Sequence, residues 1–178
     1  AACRPRQWTK NLLVFASALF SFRLNTTIWW SSAVALLAFC LISSSVYLLN
    51  DVVDRDADRA HPIKSRRPIA SGALPVPFAV LSAILISFLS IVVSASVSSE
   101  LTVVIIAYAL IQLAYCLWLK GQPLLDLFCI ASGFLLRALA GLVATGLGAS
   151  PWFLLTIGLL ALFLAVEKRK AELRISLD

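Results

Sequence analysis

Across 178 residues, 61% are hydrophobic and only 13% charged, and the mean hydropathy is +0.94. Those values lie outside the range of soluble globular domains and describe an integral membrane protein. A formal net charge of +6 asks for anionic partners, which for a membrane protein are lipid head groups or phosphorylated substrates, with the bilayer as solvent and no nucleic acid expected. Charges gather in short clusters between apolar stretches of spanning length, the pattern of an all-α, polytopic helical bundle without the alternation of a barrel.

Residues 1–11 form a basic and aromatic leader, with Arg4, Arg6 and Lys10 around Trp8. The apolar segment 12–22 that follows is short for a span, and three readings stay open: it tilts, it extends into its flanks, or it lies partly in the interface. Residues 28–50 are long enough to cross. The loop 51–72 holds Arg55, Arg59, Lys64, Arg66 and Arg67, with Pro62 and Pro68 interrupting any continuous helix. Further helices are expected over 76–97, 101–119, 124–147 and 152–166. With six spans, the loops starting at 1, 51, 120 and 167 share one side of the membrane and carry 13 of the 15 Lys and Arg. The positive-inside rule puts that side in the cytoplasm. No cleavable leader is expected. The absence of any Met points to an excerpt of a longer protein, expected to lack its C-terminal helices and to be inactive alone.

The most informative stretch closes the second apolar segment: YLLNDVVDRDAD, residues 47–58. Continued as a helix, it places Asn50, Asp54, Tyr47, Asp58 and Asp51 at roughly 0°, 40°, 60°, 80° and 100° around the axis, while Asp56 falls near 240°. Oxygen ligands of the carboxylate and amide type suit Mg²⁺, which keeps some waters and binds through a few protein oxygens plus substrate phosphates. A solvated helix end balanced by Arg55 and Arg59 is the plainer reading. It is disfavoured because ionisable groups at the mouth of a membrane span are functional by default. The loop adds five cations within a few residues of these acids. Lys64, Arg66 or Arg67 could neutralise the phosphates that a metal bridges, or could serve orientation alone.

On the fifth predicted span, Asp126, Gly133, Arg137 and Gly141 fall on one stripe. Arg137 must face the bundle interior or water, where it either holds a phosphate or pairs with Asp126 or a carbonyl. The glycines permit close approach of a helix or lipid chain. Tyr115 and Lys120 precede the same helix. Glu167 to Arg174 forms a last cluster, readable as a surface ion-pair network through its three- and four-residue spacings. Cys3, Cys40, Cys116 and Cys129 lack metal-ligand spacing and read as small packing residues, and His61 has no second histidine for a triad or zinc site. P-loop, nucleophile-elbow and HExxH signatures are all missing from the sequence.

With NDxxDxxxD at residues 50–58 ending a membrane helix, the chain resembles the UbiA superfamily of intramembrane prenyltransferases. The strings RPRQWTKN, YCLWLKGQPLLD, SGFLLRALAG and KRKAEL, with the loop 47–72, are similar to the branch that moves phosphoribose onto polyprenyl phosphate. That resemblance implies about six of nine helices, in a single membrane-embedded domain over 1–178 at the plasma membrane. It implies an Mg²⁺-dependent reaction between 5-phosphoribosyl 1-diphosphate and a decaprenyl-type phosphate on the cytoplasmic face. Carried onto this sequence, Asn50, Asp54 and Asp58 would hold the metal, with Asp51 assisting them at the reacting centre. Lys10, Tyr47, Lys64 and Arg67 would bind the phosphoribosyl donor, and Lys120, Arg137, Lys168 and Arg169 the lipid phosphate. Ordinary prenyltransferases of the superfamily carry a second acidic motif where Lys168, Arg169 and Glu172 stand here. Prenyl transfer to an aromatic acceptor is the nearest alternative, and a non-catalytic lipid or ion carrier is a more distant one. CDP-alcohol phosphotransferases also place acids at a helix mouth, but the Gly and Ala-Arg that accompany them are missing. Homo-oligomerisation stays open.

Overall fold

In the computed structural model, residues 2–119, 122–148 and 150–177 are described, except for the side chains of 123, 124, 168, 169 and 171–177. Among the described residues every regular element is helical. The chain enters through an 11-residue 3₁₀ helix, Pro5–Phe15, which passes directly into α1, Ala16–Phe20. This first segment therefore starts well before residue 12, so extension into the flank is the reading that holds. At about 2.0 Å per residue in the 3₁₀ part and 1.5 Å in the α part, the two together cover roughly 30 Å. So long a 3₁₀ run is unusual, and tertiary bonds hold it. Trp8 Nε1 donates to Ser44 Oγ at 3.1 Å and Asn11 Nδ2 to Ser43 Oγ at 3.2 Å. Val14, fully buried, sits against Gly141.

Helix α2, Thr26–Val53, starts where the side chain of Asn25 accepts the Thr27 N–H at 2.8 Å, a side-chain N-cap. Its 28 residues rise about 42 Å, more than the hydrocarbon thickness of a bilayer. A short α3, Arg55–Ala60, follows, and Pro62 and Pro68 shape the loop. Ile69, 1% exposed, pins that loop beneath Leu48, Ala79 and Ala83. Then come α4, Val76–Ala95, and α5, Ser99–Ala114, the latter capped by Ser98 and prolonged by a single π turn at Tyr115–Leu119. Helix α6, Pro123–Thr145, stops at Gly146, whose φ of 64° supplies the left-handed C-terminal residue, and α7 is Pro151–Leu177.

Of the six expected spans, four are, among the described residues, helices long and apolar enough to cross: Thr26–Val53, Val76–Ala95, Ser99–Leu119 and Leu125–Thr145. The apolar part of α7, Pro151–Glu167, is shorter, and the 3₁₀ segment is of another kind. Phe78, Leu81, Ile84, Leu85, Phe88 and Leu89 of α4 are all exposed, an arrangement suited to lipid and costly in water. On its other face α4 meets α2 through small residues. Ser45 Oγ donates to the Ala83 carbonyl at 2.8 Å, and Ser90 Oγ to that of Ala38 at 2.8 Å. Small side chains let the two backbones approach, and the hydroxyls join them where no water competes.

Candidate active site

The oxygen-bearing side chains divide into two pairs. At Asp54 the backbone takes φ −85° and ψ 3°, so α2 ends and α3 begins in a new direction, although helical N–H to carbonyl bonds continue across the break. Asn50 Nδ2 donates to Asp54 Oδ2 at 3.1 Å, one helical turn apart, and Cys116 Sγ donates to Asn50 Oδ1 at 3.3 Å from the π turn. Asp51 and Asp58 are buried and share a different partner. Arg67 Nη1 lies 3.2 Å from Asp51 Oδ1 and 2.6 Å from Asp58 Oδ2. Arg4 closes on Asp51 Oδ1 from the other side, with its guanidinium 5.1 Å from the Tyr47 ring centroid. Sharing one stripe on a helical wheel thus does not make a single cluster. The seven-residue pair is neutralised by two guanidinium groups, and the four-residue pair presents hard oxygens.

That division bears on metal binding. Among the described residues no group of three or more His, Cys, Asp and Glu is gathered as a metal site. The amide of Asn50 and the half-buried carboxylate of Asp54, joined by a hydrogen bond, carry hard oxygens of the kind that suits Mg²⁺ completed by waters and diphosphate oxygens. Asp51 and Asp58 are committed to Arg4 and Arg67 here.

A second constellation lies inside the bundle. Arg137, 5% exposed, donates from Nε to Asn11 Oδ1 at 2.7 Å, from Nη1 to the Gly133 carbonyl at 2.6 Å, and from Nη2 to Tyr108 Oη at 3.0 Å. The Tyr108, Phe39 and Phe134 rings surround it, with centroids 5.0, 5.8 and 5.9 Å from its Cζ. Of the two structural pairings open to it in the sequence, the carbonyl is the one observed. Asp126 instead accepts a hydrogen bond from Tyr115 Oη at 2.5 Å. Beside Arg137 is a cavity of about 480 Å³ lined by Lys10, Tyr47, Tyr108, Gln112 and Arg137 on its polar side and by Val46, Ile130, Phe134 and Leu164 on its apolar side. An apolar slot between the 3₁₀ segment and α7 shares Lys10, Phe134 and Leu164 with it and continues along Leu13, Leu160 and Ala161.

Of the residues singled out in the sequence, Lys10, Tyr47 and Arg137 line this one cavity, and Asn50 and Asp54 touch each other at the helix mouth. Lys64 is exposed on the short helical turn Lys64–Arg66, and Arg67 is engaged with the acids. Lys120 and the side chains of Lys168 and Arg169 lie outside the described residues. Arg4, Asn11, Tyr108 and Gln112 were not legible as site residues. For Arg4 and Asn11 the string RPRQWTKN was the one available signal; Tyr108 and Gln112 sit in an apolar run with nothing local to mark them.

Apolar outer faces, with ionisable groups gathered at one helix mouth and in an interior cavity, define an integral membrane protein of the polytopic helical-bundle class. The chain belongs to the UbiA prenyltransferase family, whose model matches residues 12–173. It is 44% identical over 98% of its length to the decaprenyl-phosphate phosphoribosyltransferase of Mycolicibacterium smegmatis, covering 57% of that protein. The proteins of the same name from Corynebacterium glutamicum and Mycobacterium tuberculosis (strain H37Rv) are 44% and 39% identical over 97% and 98% of the chain, which covers 53% and 60% of them. The chain thus spans a little over half the length of these relatives. Its fold is similar to that of a UbiA homolog from Archaeoglobus fulgidus solved with GPP and Mg²⁺, with a TM-score of 0.77, 23% identity, and coverage of 90% of this chain and 58% of that one.

Proposed function

We propose that the protein transfers 5-phosphoribose from 5-phosphoribosyl 1-diphosphate to a polyprenyl phosphate of the decaprenyl type, with release of diphosphate, as in arabinan cell-wall precursor synthesis. The observation that carries this reading is the cavity in which Lys10, Tyr47 and Arg137 meet, since the guanidinium there is paired with neutral groups among the described residues. The names of the relatives support it. In the reaction, an oxygen of the lipid phosphate forms a bond to C1 of the ribose while the bond from C1 to the diphosphate oxygen breaks, and diphosphate leaves with the electron pair. The nucleophile is already an anion, so no strong general base is required. Catalysis consists of positioning and of charge stabilisation at the leaving group.

Arg137 holds the lipid phosphate, with Lys120, Lys168 and Arg169 assigned to the same group. Lys10 and Tyr47 hold the phosphoribosyl donor in the adjoining part of the cavity, so nucleophile and electrophile are brought together. The polyprenyl chain follows the apolar side towards Leu13 and Leu160. Asn50 and Asp54 would hold Mg²⁺, which when bound supplies positive charge to the departing diphosphate. Asp51 and Asp58 fix Arg67 and the loop behind it, and Lys64 reaches the donor from solvent. Residues 1–178 contribute to one membrane-embedded domain of a plasma-membrane enzyme whose acid-bearing helix mouth faces the cytoplasm, in keeping with the 13 of 15 cations on that side.

The test uses the full-length protein in membranes with Mg²⁺. Labelled phosphoribosyl diphosphate is supplied with polyprenyl phosphate, beside labelled polyprenyl diphosphate with an aromatic acid. Label entering lipid from the sugar donor alone is expected. Transfer only in the second mixture would overturn the proposal in favour of aromatic prenylation.

A further inference from the structure

Burial without an opposing charge is expensive for a guanidinium, and a chain that buries one usually supplies a carboxylate. At Arg137 the three described hydrogen-bond partners are an amide, a carbonyl and a phenol, all neutral. The amide is Asn11, 1% exposed and held in one orientation. Ser43 Oγ donates its own hydrogen to the Cys40 carbonyl at 3.2 Å, so it must accept from Asn11, and the Asn11 amino group therefore lies on the Ser43 and Cys40 side. The remaining end, Oδ1, is an acceptor aimed at Arg137 Nε. Three of the five guanidinium N–H groups are thereby used among the described residues, while Arg137 still lines the cavity beside Lys10 and Gln112.

We propose that Asn11 is a positioning residue for anion recognition: its neutral amide orients the Arg137 guanidinium without cancelling its charge, which stays available to an anionic head group in the cavity. A carboxylate in the same place would orient Arg137 equally well and neutralise it. The 3₁₀ segment thus has two roles on adjacent residues, with Lys10 lining the cavity and Asn11 behind its arginine. This inference rests on the reading of Arg137 as a ligand of the lipid phosphate.

Asn11→Asp in the full-length protein separates orientation from charge, and Arg137→Ala serves as the reference. Asn11→Asp is expected to be at least as resistant to thermal unfolding as the parent, because it creates an Arg–Asp pair. Its KM for polyprenyl phosphate is expected to rise about tenfold or more, with the KM for phosphoribosyl diphosphate within about twofold of the parent. A merely structural Asn11 predicts no such split. A stable Asn11→Asp with parental lipid KM would overturn the inference and leave the function reading intact. If Arg137→Ala leaves the lipid KM unchanged, the assignment of Arg137 falls, and with it the inference. Should Asn11→Asp fail to accumulate in the membrane, Asn11→Ala decides. A rise confined to the lipid KM and smaller than that of Arg137→Ala supports the inference, and equal rises for both substrates overturn it.

Discussion

Replacing Gly141 by alanine is expected to push the first segment off the bundle. A Cβ at that position would stand 2.0 Å from the Val14 carbonyl oxygen and 2.9 Å from Ser17 Oγ, whereas ordinary contact begins at 3.4 Å. The nearest obstacle is backbone, so no flexible side-chain end can yield. Val14, Ala140 and Ala144 are buried in the main core cluster, so neither partner has room to retreat. Overpacking of a well-packed core costs about 1–3 kcal/mol, and a backbone clash belongs at the upper end. The segment that moves also carries Lys10, assigned to the donor, and Asn11, which bonds to Arg137, so affinity for both substrates is expected to fall together with stability. The assay is thermal unfolding of purified protein in lipid nanodiscs, run beside Gly133→Ala. That control places its Cβ 3.1 Å from Arg137 Nη1 and 3.4 Å from Gln112 Nε2, side-chain atoms at larger separations than the backbone oxygen met at Gly141. A Gly141→Ala protein with the unfolding midpoint of the parent would refute the seating of Val14 on α6, and a larger loss in Gly133→Ala would reverse the ranking.

Three other outcomes are expected. Asp54→Asn or Asn50→Ala abolishes turnover while the protein still reaches the membrane, measured by lipid-incorporated label against immunoblotted protein; near-parental turnover in either variant would remove the metal assignment. Arg137→Ala raises the requirement for lipid phosphate more than that for the sugar donor, and the opposite pattern in steady-state kinetics would move it to the donor side. Among the described residues, Arg67→Ala leaves Asp58 without its guanidinium and Asp51 with Arg4. Loosening of the 61–75 loop by about 1–3 kcal/mol should follow, seen as faster limited proteolysis there, and an unchanged cleavage rate would contradict the bridge.

What could be read from the sequence was what depends on neighbours in sequence. Helices over 28–50, 76–97, 101–119 and 124–147 announce themselves through continuous apolar character, and the membrane-length helices among the described residues fall there. The interior placement of Arg137 followed from the cost of leaving its charge in hydrocarbon. The start of the first segment stayed open in the sequence because Asn11 counts as polar in any hydropathy window. Its partner Arg137 lies 126 positions away, and this bond makes residue 11 an interior position. In the acid stretch the helical wheel put Asn50, Asp51, Asp54 and Asp58 on one face, whereas Asn50 bonds to Asp54, and Asp51 and Asp58 share Arg67. A regular wheel cannot register the change of direction at Asp54, nor an arginine arriving from residue 67 to join one pair and leave the other. The cysteines, read as packing residues, are unbridged thiols, three of them buried, and Cys116 additionally contacts Asn50.

The quartet of Arg4, Asp51, Arg67 and Asp58 sums to zero charge. Seen from the aqueous phase, it contributes almost nothing to the long-range field at the helix mouth. That field is left to the charges outside the quartet, among which the exposed Lys64 and Arg66 outweigh Asp56, itself 4.0 Å from Arg59. A multiply charged anion diffusing towards this face is therefore guided by groups that are well solvated and open to counterions. Its rate of capture should drop steeply as ionic strength shortens the Debye length, while the shape of the loop, held by the shielded quartet, stays the same.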